Sequence, residues 1–196
     1  MKNRKNKTAI QTAPQQVRII AGCWKGSKLP VIQKQFIRPT PNRVRETVFN
    51  WLQPVIAGSD CLDLFAGSGA LGIEAVSRGA AHAVLVDSDR DVILCLQQQV
   101  ERLQTNSVTV LAADVSKKIP YLEKKFDIVF LDPPFGRFDL QQLLSTIKLQ
   151  QILKPNALIY IEAQANTLPV ALPLEWSWRR QSNASEVDFG LIATGK

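Results

Sequence analysis

Four residues of this 196-residue chain, Asp132-Pro133-Pro134-Phe135, combine groups that together could bind and activate a flat nitrogen heterocycle. Two consecutive prolines stiffen a turn and remove two N–H donors, so the backbone there can only accept hydrogen bonds. Asp132 adds a carboxylate, which when ionised also only accepts, and Phe135 adds an aromatic face. A planar ring bearing an exocyclic amine fits this set. Phe135 would stack on the ring while Asp132 and the Pro133 carbonyl accept from the NH₂ group. Such an amine is a poor nucleophile because its lone pair is conjugated into the ring. Acceptors around it favour rehybridisation toward sp³ and aim the lone pair outward. In-line placement against an electrophile then contributes several kcal/mol of barrier reduction. The carboxylate also relieves positive charge as the nitrogen becomes cationic. No covalent nucleophile is needed, and none of Cys23, Cys61 and Cys95 sits in a nucleophile motif.

A second stretch supplies a partner for that chemistry. Asp63-Leu64-Phe65-Ala66-Gly67-Ser68-Gly69-Ala70-Leu71-Gly72 follows an apolar run and precedes a helical pattern, so it reads as strand, tight turn, helix with an open helix N-terminus. Gly67 and Gly69 leave room for a ligand against the main chain. The next apolar run ends in Asp87, about twenty residues on, where a ribose diol is held in nucleotide-binding folds. A third run ends in Asp114, well placed for an adenine amino group. The loop reads D-x-F-x-G-x-G, which is neither the dinucleotide fingerprint nor a P-loop. It resembles the cofactor loop of class I S-adenosylmethionine (SAM) methyltransferases, and that resemblance implies that Asp63, Phe65, Gly67, Gly69, Asp87 and Asp114 bind SAM.

The elements around these motifs alternate. Strands are expected near 61–65, 83–87, 108–113, 127–132 and 157–162. Helices are expected near 70–79, 89–104 and 138–152, with a short irregular segment near 116–124. Apolar strands alternating with helices mean a parallel sheet covered on both faces, an α/β doubly wound fold. Leu174 to Arg179 and Glu186 to Ile192 add an antiparallel C-terminal strand pair. Upstream, Val17 to Val31 reads as a small hairpin with Trp24 and Lys25 near its tip. Trp24 fits base stacking or a plug between hairpin and body. Pro39 and Pro41 then lead into a helix, with Asn42 as its cap and Val44, Val48, Trp51 and Leu52 on one face. Arg43 and Arg45 sit at the helix end that repels cations, so an anionic partner or Glu46 is expected to compensate. The chain divides into a disordered basic tail (1–16), a basic hairpin extension (17–45) and the main α/β domain (46–196).

Charge separates the same regions. The net charge of +7 is carried by the front. Residues 1–45 hold eleven Lys or Arg and no acid, against thirteen basic and seventeen acidic residues in the rest. A basic front on a neutral-to-acidic body suggests that the front meets a polyanion, through Arg18, Trp24, Lys25, Lys28, Arg38, Arg43 and Arg45. No apolar run approaches membrane-spanning length, and the polar N-terminus does not read as a secretory signal. Three widely spaced cysteines fit free thiols in a reducing cytoplasm. A single histidine, His82, excludes a His-based metal site or triad.

D-P-P-F is similar to the [DNS]-P-P-[FYW] signature of methyltransferases acting on exocyclic amines of nucleobases. Arg18 to Gly26, Arg38-Pro39-Thr40 with Arg43 to Thr47, Phe49-Asn50-Trp51-Leu52, and Asp63 to Gly72 extend the likeness. In this order they resemble the RsmD family, bacterial 16S ribosomal RNA guanine-N2 methyltransferases, over about residues 17–165. The resemblance implies SAM as cofactor and one guanine of 16S rRNA, presented in an assembling 30S subunit, as substrate. It also implies Asp132, Pro133 and Phe135 as the residues holding the base, and a monomeric cytoplasmic enzyme. Ala21 and Ser27 stand where the family tends to have Gly and Arg, and Gln181 to Ser185 lacks the basic, Gly-Gln-containing turn. Two other functions share some of these features: a DNA amino-methyltransferase acting on adenine N6 or cytosine N4, and a non-catalytic RNA-binding assembly factor. The first needs a target-recognition domain for which little length is spare. The intact Asp132 to Phe135 turn argues against the second.

Overall fold

The computed structural model describes residues 16–32, 40–169 and 171–195. A two-stranded antiparallel hairpin comes first, β1 (Gln16–Arg18) with β2 (Lys28–Pro30), followed by α1 (Asn42–Leu52). The body then runs β3 (Asp60–Asp63), α2 (Gly72–Ser77), β4 (His82–Asp87), α3 (Arg90–Arg102), β5 (Val108–Ala112), β6 (Phe126–Leu131), α4 (Leu140–Leu149), β7 (Leu153–Gln164), β8 (Ser177–Ala184) and β9 (Val187–Ala193). The seven-stranded sheet has the order β5-β4-β3-β6-β7-β9-β8. Its first five strands are parallel, and β9 and β8 join antiparallel. This is the doubly wound sheet with a terminal antiparallel pair that the apolar pattern predicts.

Alternation along the strands divides the core into two layers. Cys61, Leu85, Phe130 and Tyr160 point to one face, where Val44, Val48, Phe49 and Leu52 of α1 meet Ile73 of α2 and Leu96 of α3. Leu62, Val84, Leu131 and Ile161 point to the other, against Leu143, Leu144 and Ile147 of α4. The segment after β5 is irregular, as expected, and contributes Ile119 to this second layer. Asp89 and Asp139 cap α3 and α4 by accepting from the amides two and three residues on.

Boundaries differ from expectation at several elements: β7 runs from 153 to 164 where 157–162 is expected, and α3 and α4 are shorter at both ends. The strand expected at 174–179 is β8 at 177–184. Its outer half, Gln181 to Ala184, is polar because an edge strand pairs on one side only and need not be apolar. Asn42 is the first helical residue of α1 and not its cap: Pro41 holds that position with no side-chain cap, and Asn42 Oδ1 accepts from Arg45 instead. The helix after the glycine loop starts at Gly72, not 70. Of the tail expected to be disordered, residues 1–15 lie outside the described residues, and Gln16 already belongs to β1.

Candidate active site

β3 lies between β4 and β6, so the loops leaving β3, β4 and β6 emerge side by side at the carboxyl end of the sheet. Asp63 closes β3 and is 1% exposed. Its Oδ2 accepts from the Gly72 amide at 3.1 Å, the Phe65 amide also favours the charged carboxylate, and Oδ1 makes no hydrogen bond of good geometry among the described residues. Burial pushes the Asp63 carboxyl up to about 7, against the Gly72 amide and with the help of the nearby Asp132 charge. The Gly72 amide is therefore taken by Asp63, and the following turn of α2 bonds back to the loop, with the Ile73 amide on the Gly69 carbonyl at 2.9 Å. The open helix end expected from the sequence is occupied, so the site favours a cationic group over an anionic one.

Gly67 has φ +50°, and a Cβ there would meet nothing closer than the Phe65 carbonyl oxygen at 4.0 Å, so its main chain faces open space. Asp87, at the end of β4, accepts from the Gly67 amide at 3.0 Å and from the Asp89 amide at 3.0 Å, which ties the second strand to the glycine turn. Asp114 follows β5, accepts from Ser116 and pairs with Lys117 at 3.2 Å, and the Ser116 bond, first, and the Lys117 bond hold its carboxyl below the usual range. A buried carboxylate at the end of β3, an open glycine in the loop that follows and two more acids at neighbouring strand ends fit the ammonium, ribose and amine groups of SAM.

Asp132 follows β6, whose Phe130 is in register with Asp63 of β3. The Thr40 hydroxyl, 92 residues away in sequence, donates to Asp132 Oδ2 at 2.9 Å. Burial pushes the Asp132 carboxyl up to about 6, and the Thr40 bond opposes it. Pro133 is buried, and Phe135 is 38% exposed on the loop beyond. The Phe65 ring of the glycine loop meets the Phe138 ring edge-on at 4.7 Å, which fastens the Asp132 loop to the glycine loop. Phe135 is thus an open aromatic face on a loop held against the proposed cofactor turn, and not a core side chain.

The hairpin is bolted to α2. Glu74 Oε2 accepts from the Ile20 amide at 2.7 Å, Glu74 Oε1 from the Ala21 amide at 3.0 Å, and the Ser77 hydroxyl donates to the Ala21 carbonyl at 2.6 Å. Arg45 belongs to this joint and corrects its assignment as an RNA contact. It is fully buried, donates to the Arg18 carbonyl at 2.8 Å and to Asn42 at 2.7 Å, and lies 3.7 Å from Glu74. The anion that compensates it at the start of α1 is Glu74, not an external polyanion. Arg18, Lys25, Lys28 and Arg43 are exposed. Trp24 is half-buried against the core, as a plug, and Arg38 lies outside the described residues.

The comparisons with known proteins decide the family. A family model described as "Conserved hypothetical protein 95" matches residues 17–192. Ribosomal RNA small subunit methyltransferase D of Escherichia coli strain K12 is 43% identical over 177 residues, 90% of this chain and 89% of that protein. Its namesake in Haemophilus influenzae is 42% identical over 188 residues, 93% and 97%. The solved structure of Escherichia coli yhhF has a TM-score of 0.84 at 40% identity, covering 92% of this chain and 99% of that one. The chain belongs to the RsmD family of ribosomal RNA methyltransferases. Two residues beside the candidate site escaped sequence reasoning. Thr40 stands in a quoted motif but carried no role. Glu162 ends the fifth apolar run, as Asp63 and Asp87 end the first two, and the same rule applied once more would have found it. Glu162 is 2% exposed and accepts from the Tyr160 hydroxyl at 2.7 Å. Among the described residues no cluster of three or more His, Cys, Asp or Glu is arranged to hold a metal ion.

Proposed function

We propose that this chain transfers a methyl group from SAM to the exocyclic N2 of one guanine in 16S rRNA, within an assembling small subunit in the cytoplasm. The observation that carries this reading is the pairing of the buried Asp63 with Asp132 at the ends of two hydrogen-bonded parallel strands. Asp63 would receive the ammonium of SAM, Asp87 the ribose diol and Asp114 the adenine amine, with Phe65, Gly67 and Gly69 shaping the cradle. When bound, SAM supplies an electrophilic methyl group. Asp132 and the Pro133 carbonyl accept from the guanine NH₂, turn its lone pair toward that methyl and lower the charge that builds on nitrogen. Phe135 stacks on the base. Arg18, Lys25, Lys28 and Arg43 hold the RNA backbone from the hairpin side, with Arg38 as a further candidate.

Labelled SAM supplied with ribosomal small-subunit particles, free rRNA and duplex DNA tests the reading, followed by nucleoside digestion of the labelled product. N2-methylguanosine from the particles supports it. Label only in DNA replaces it with a DNA amino-methyltransferase, and no label in any substrate replaces it with an assembly factor. Neutralising Arg18, Lys25 and Arg43 together is expected to flatten the salt dependence of RNA binding by a slope of roughly two to three. An unchanged slope removes the hairpin from the RNA contact.

A further inference from the structure

Asp132 is the acceptor in the reading above, and the hydroxyl that holds it comes from a distant part of the chain. The Thr40 side chain donates to Asp132 Oδ2 at 2.9 Å across 92 residues. Thr40 is 8% exposed while Asp132 is half-buried, so the donor is shielded and the acceptor stays reachable.

The local sequence makes Thr40 a rigid donor. It precedes Pro41, and the residue before a proline is held to extended backbone. Pro41 has φ −55°, and its carbonyl accepts from the Val44 and Arg45 amides at 3.0 and 3.1 Å, which seats it on α1. Threonine is β-branched, so its χ1 has few settings. α1 in turn is fastened through Arg45, which donates to the Arg18 carbonyl at 2.8 Å and lies 3.7 Å from Glu74. The donor on Asp132 is therefore carried by the same joint that carries the hairpin.

A hydroxyl also suits the chemistry. It holds one carboxylate oxygen and brings no charge of its own. At the other end of the sheet Lys154 meets Asp127 at 2.7 Å and offsets its charge. A lysine on Asp132 would cancel the negative charge that a nitrogen turning cationic needs. Asp63 of β3, and Tyr160 and Glu162 of β7, share the charge environment of Asp132, and none of the three is a cation. Arg45 of α1 acts on Glu162 and is committed to Arg18, Asn42 and Glu74. Burial pushes the Asp132 carboxyl up to about 6, and the Thr40 bond works against it. Thr40 favours the charged form of Glu162 as well, so Glu162 needs its own control.

We propose that Thr40 is a positioning residue for methyl transfer: its hydroxyl grips Asp132 Oδ2 and turns the carboxylate so that the other oxygen accepts from the reacting amine. This rests on the amino-methyltransferase reading of the site. Without the hydroxyl the carboxyl loses its hold and takes up a proton at higher pH, and a protonated Asp132 no longer only accepts. The reacting acceptor is thus set by the segment that leads into α1, not by the sheet alone.

The test compares wild type, Thr40→Val, Thr40→Ser and Glu162→Gln in single-turnover methyl transfer to small-subunit particles across the pH range, with SAM affinity by calorimetry. Valine keeps the shape of threonine and lacks the hydroxyl. Thr40→Val is expected to move the acid limb up by roughly one pH unit, the size of one hydrogen bond to a charged group. Its deficit against wild type is then roughly fivefold larger at about pH 6 than at about pH 8. Thr40→Ser should restore the wild-type limb, Glu162→Gln should keep an acid limb, and SAM affinity should not change. A wild-type limb in Thr40→Val, whatever its rate, overturns the proposal, and so does a Thr40→Ser profile that matches Thr40→Val. Loss of the acid limb in Glu162→Gln overturns it by assigning the titration to Glu162, and weaker SAM binding by Thr40→Val overturns it by making Thr40 a cofactor residue. If Thr40→Val does not fold, Thr40→Ala is read in the same way. A wild type that labels no particle at all sinks the methyltransferase reading instead, before any variant is compared.

Discussion

β3 carries an aspartate at each end, and β6 carries one near its start and one just past its end, yet the two ends of the sheet treat them oppositely. At the amino end Lys154 reaches Asp60 at 2.8 Å and Asp127 at 2.7 Å, and Lys124 reaches Asp60 at 2.9 Å. Burial raises Asp60, but the Lys154 and Lys124 hydrogen bonds outweigh it and hold the carboxyl below its ordinary 3.8. At the carboxyl end Asp63, Asp132 and Glu162 are met by amides and hydroxyls, and all three are pushed up, chiefly by burial. Acids whose charge is met by lysines hold strands together. Acids met by amides and hydroxyls and held above their ordinary range are poised for a cationic ligand and a proton.

The sharpest way to break this comparison is Asp132→Ala. It should lower methyl transfer by roughly a hundredfold to a thousandfold while SAM binding by calorimetry stays unchanged; lost SAM affinity would make Asp132 a cofactor residue. Asp63→Asn should do the reverse, abolishing SAM binding while stabilising the ligand-free protein. The sign follows from proton counts. A carboxyl raised from 3.8 to about 7 binds more protons in the native state, so its contribution is full below 3.8 and is lost as pH climbs to about 7. Asparagine removes that loss, and thermal melts at pH 8 should report a gain of roughly 2–4 kcal/mol. Equal or lower stability would mean that Asp63 is not strained by its burial.

A smaller effect concerns pH and activity. Transfer should fall as pH drops through about 6, because a protonated Asp132 no longer only accepts. A rate flat to pH 5 would separate Asp132 from the acceptor role. The smallest effect belongs to the other end. Lys154→Gln should cost at most about 1 kcal/mol, since the ion pairs are partly solvated, and the loss should shrink in high salt. Its rate of methyl transfer should match wild type; a slowed rate would blur the division between the two ends.

The division was half legible in the sequence. Asp63, Asp87, Asp114 and Asp132 stand out because each ends an apolar run, and a parallel sheet gathers such ends by rule. The parallel sheet covered on both faces follows from the same alternation. What stayed hidden depends on contacts between distant segments. Nothing local tells that Arg45 turns inward while Arg43 stays out: both occupy the first turn of α1, and burial was decided by Glu74 on another helix. The Thr40 bond to Asp132 spans 92 residues. Phe65 looked like a cofactor contact and also serves as a fastener, through Phe138, a residue without a motif.

Gly22 carries one more consequence. It has φ +84°, and a Cβ there would sit 1.6 Å from the Ser77 carbonyl oxygen, so hairpin and α2 touch backbone to backbone with nothing between them. A swinging clamp needs slack at its root, and here there is none. Under the function proposed above, the hairpin would meet RNA as a fixed template, selecting a substrate that already has the matching shape.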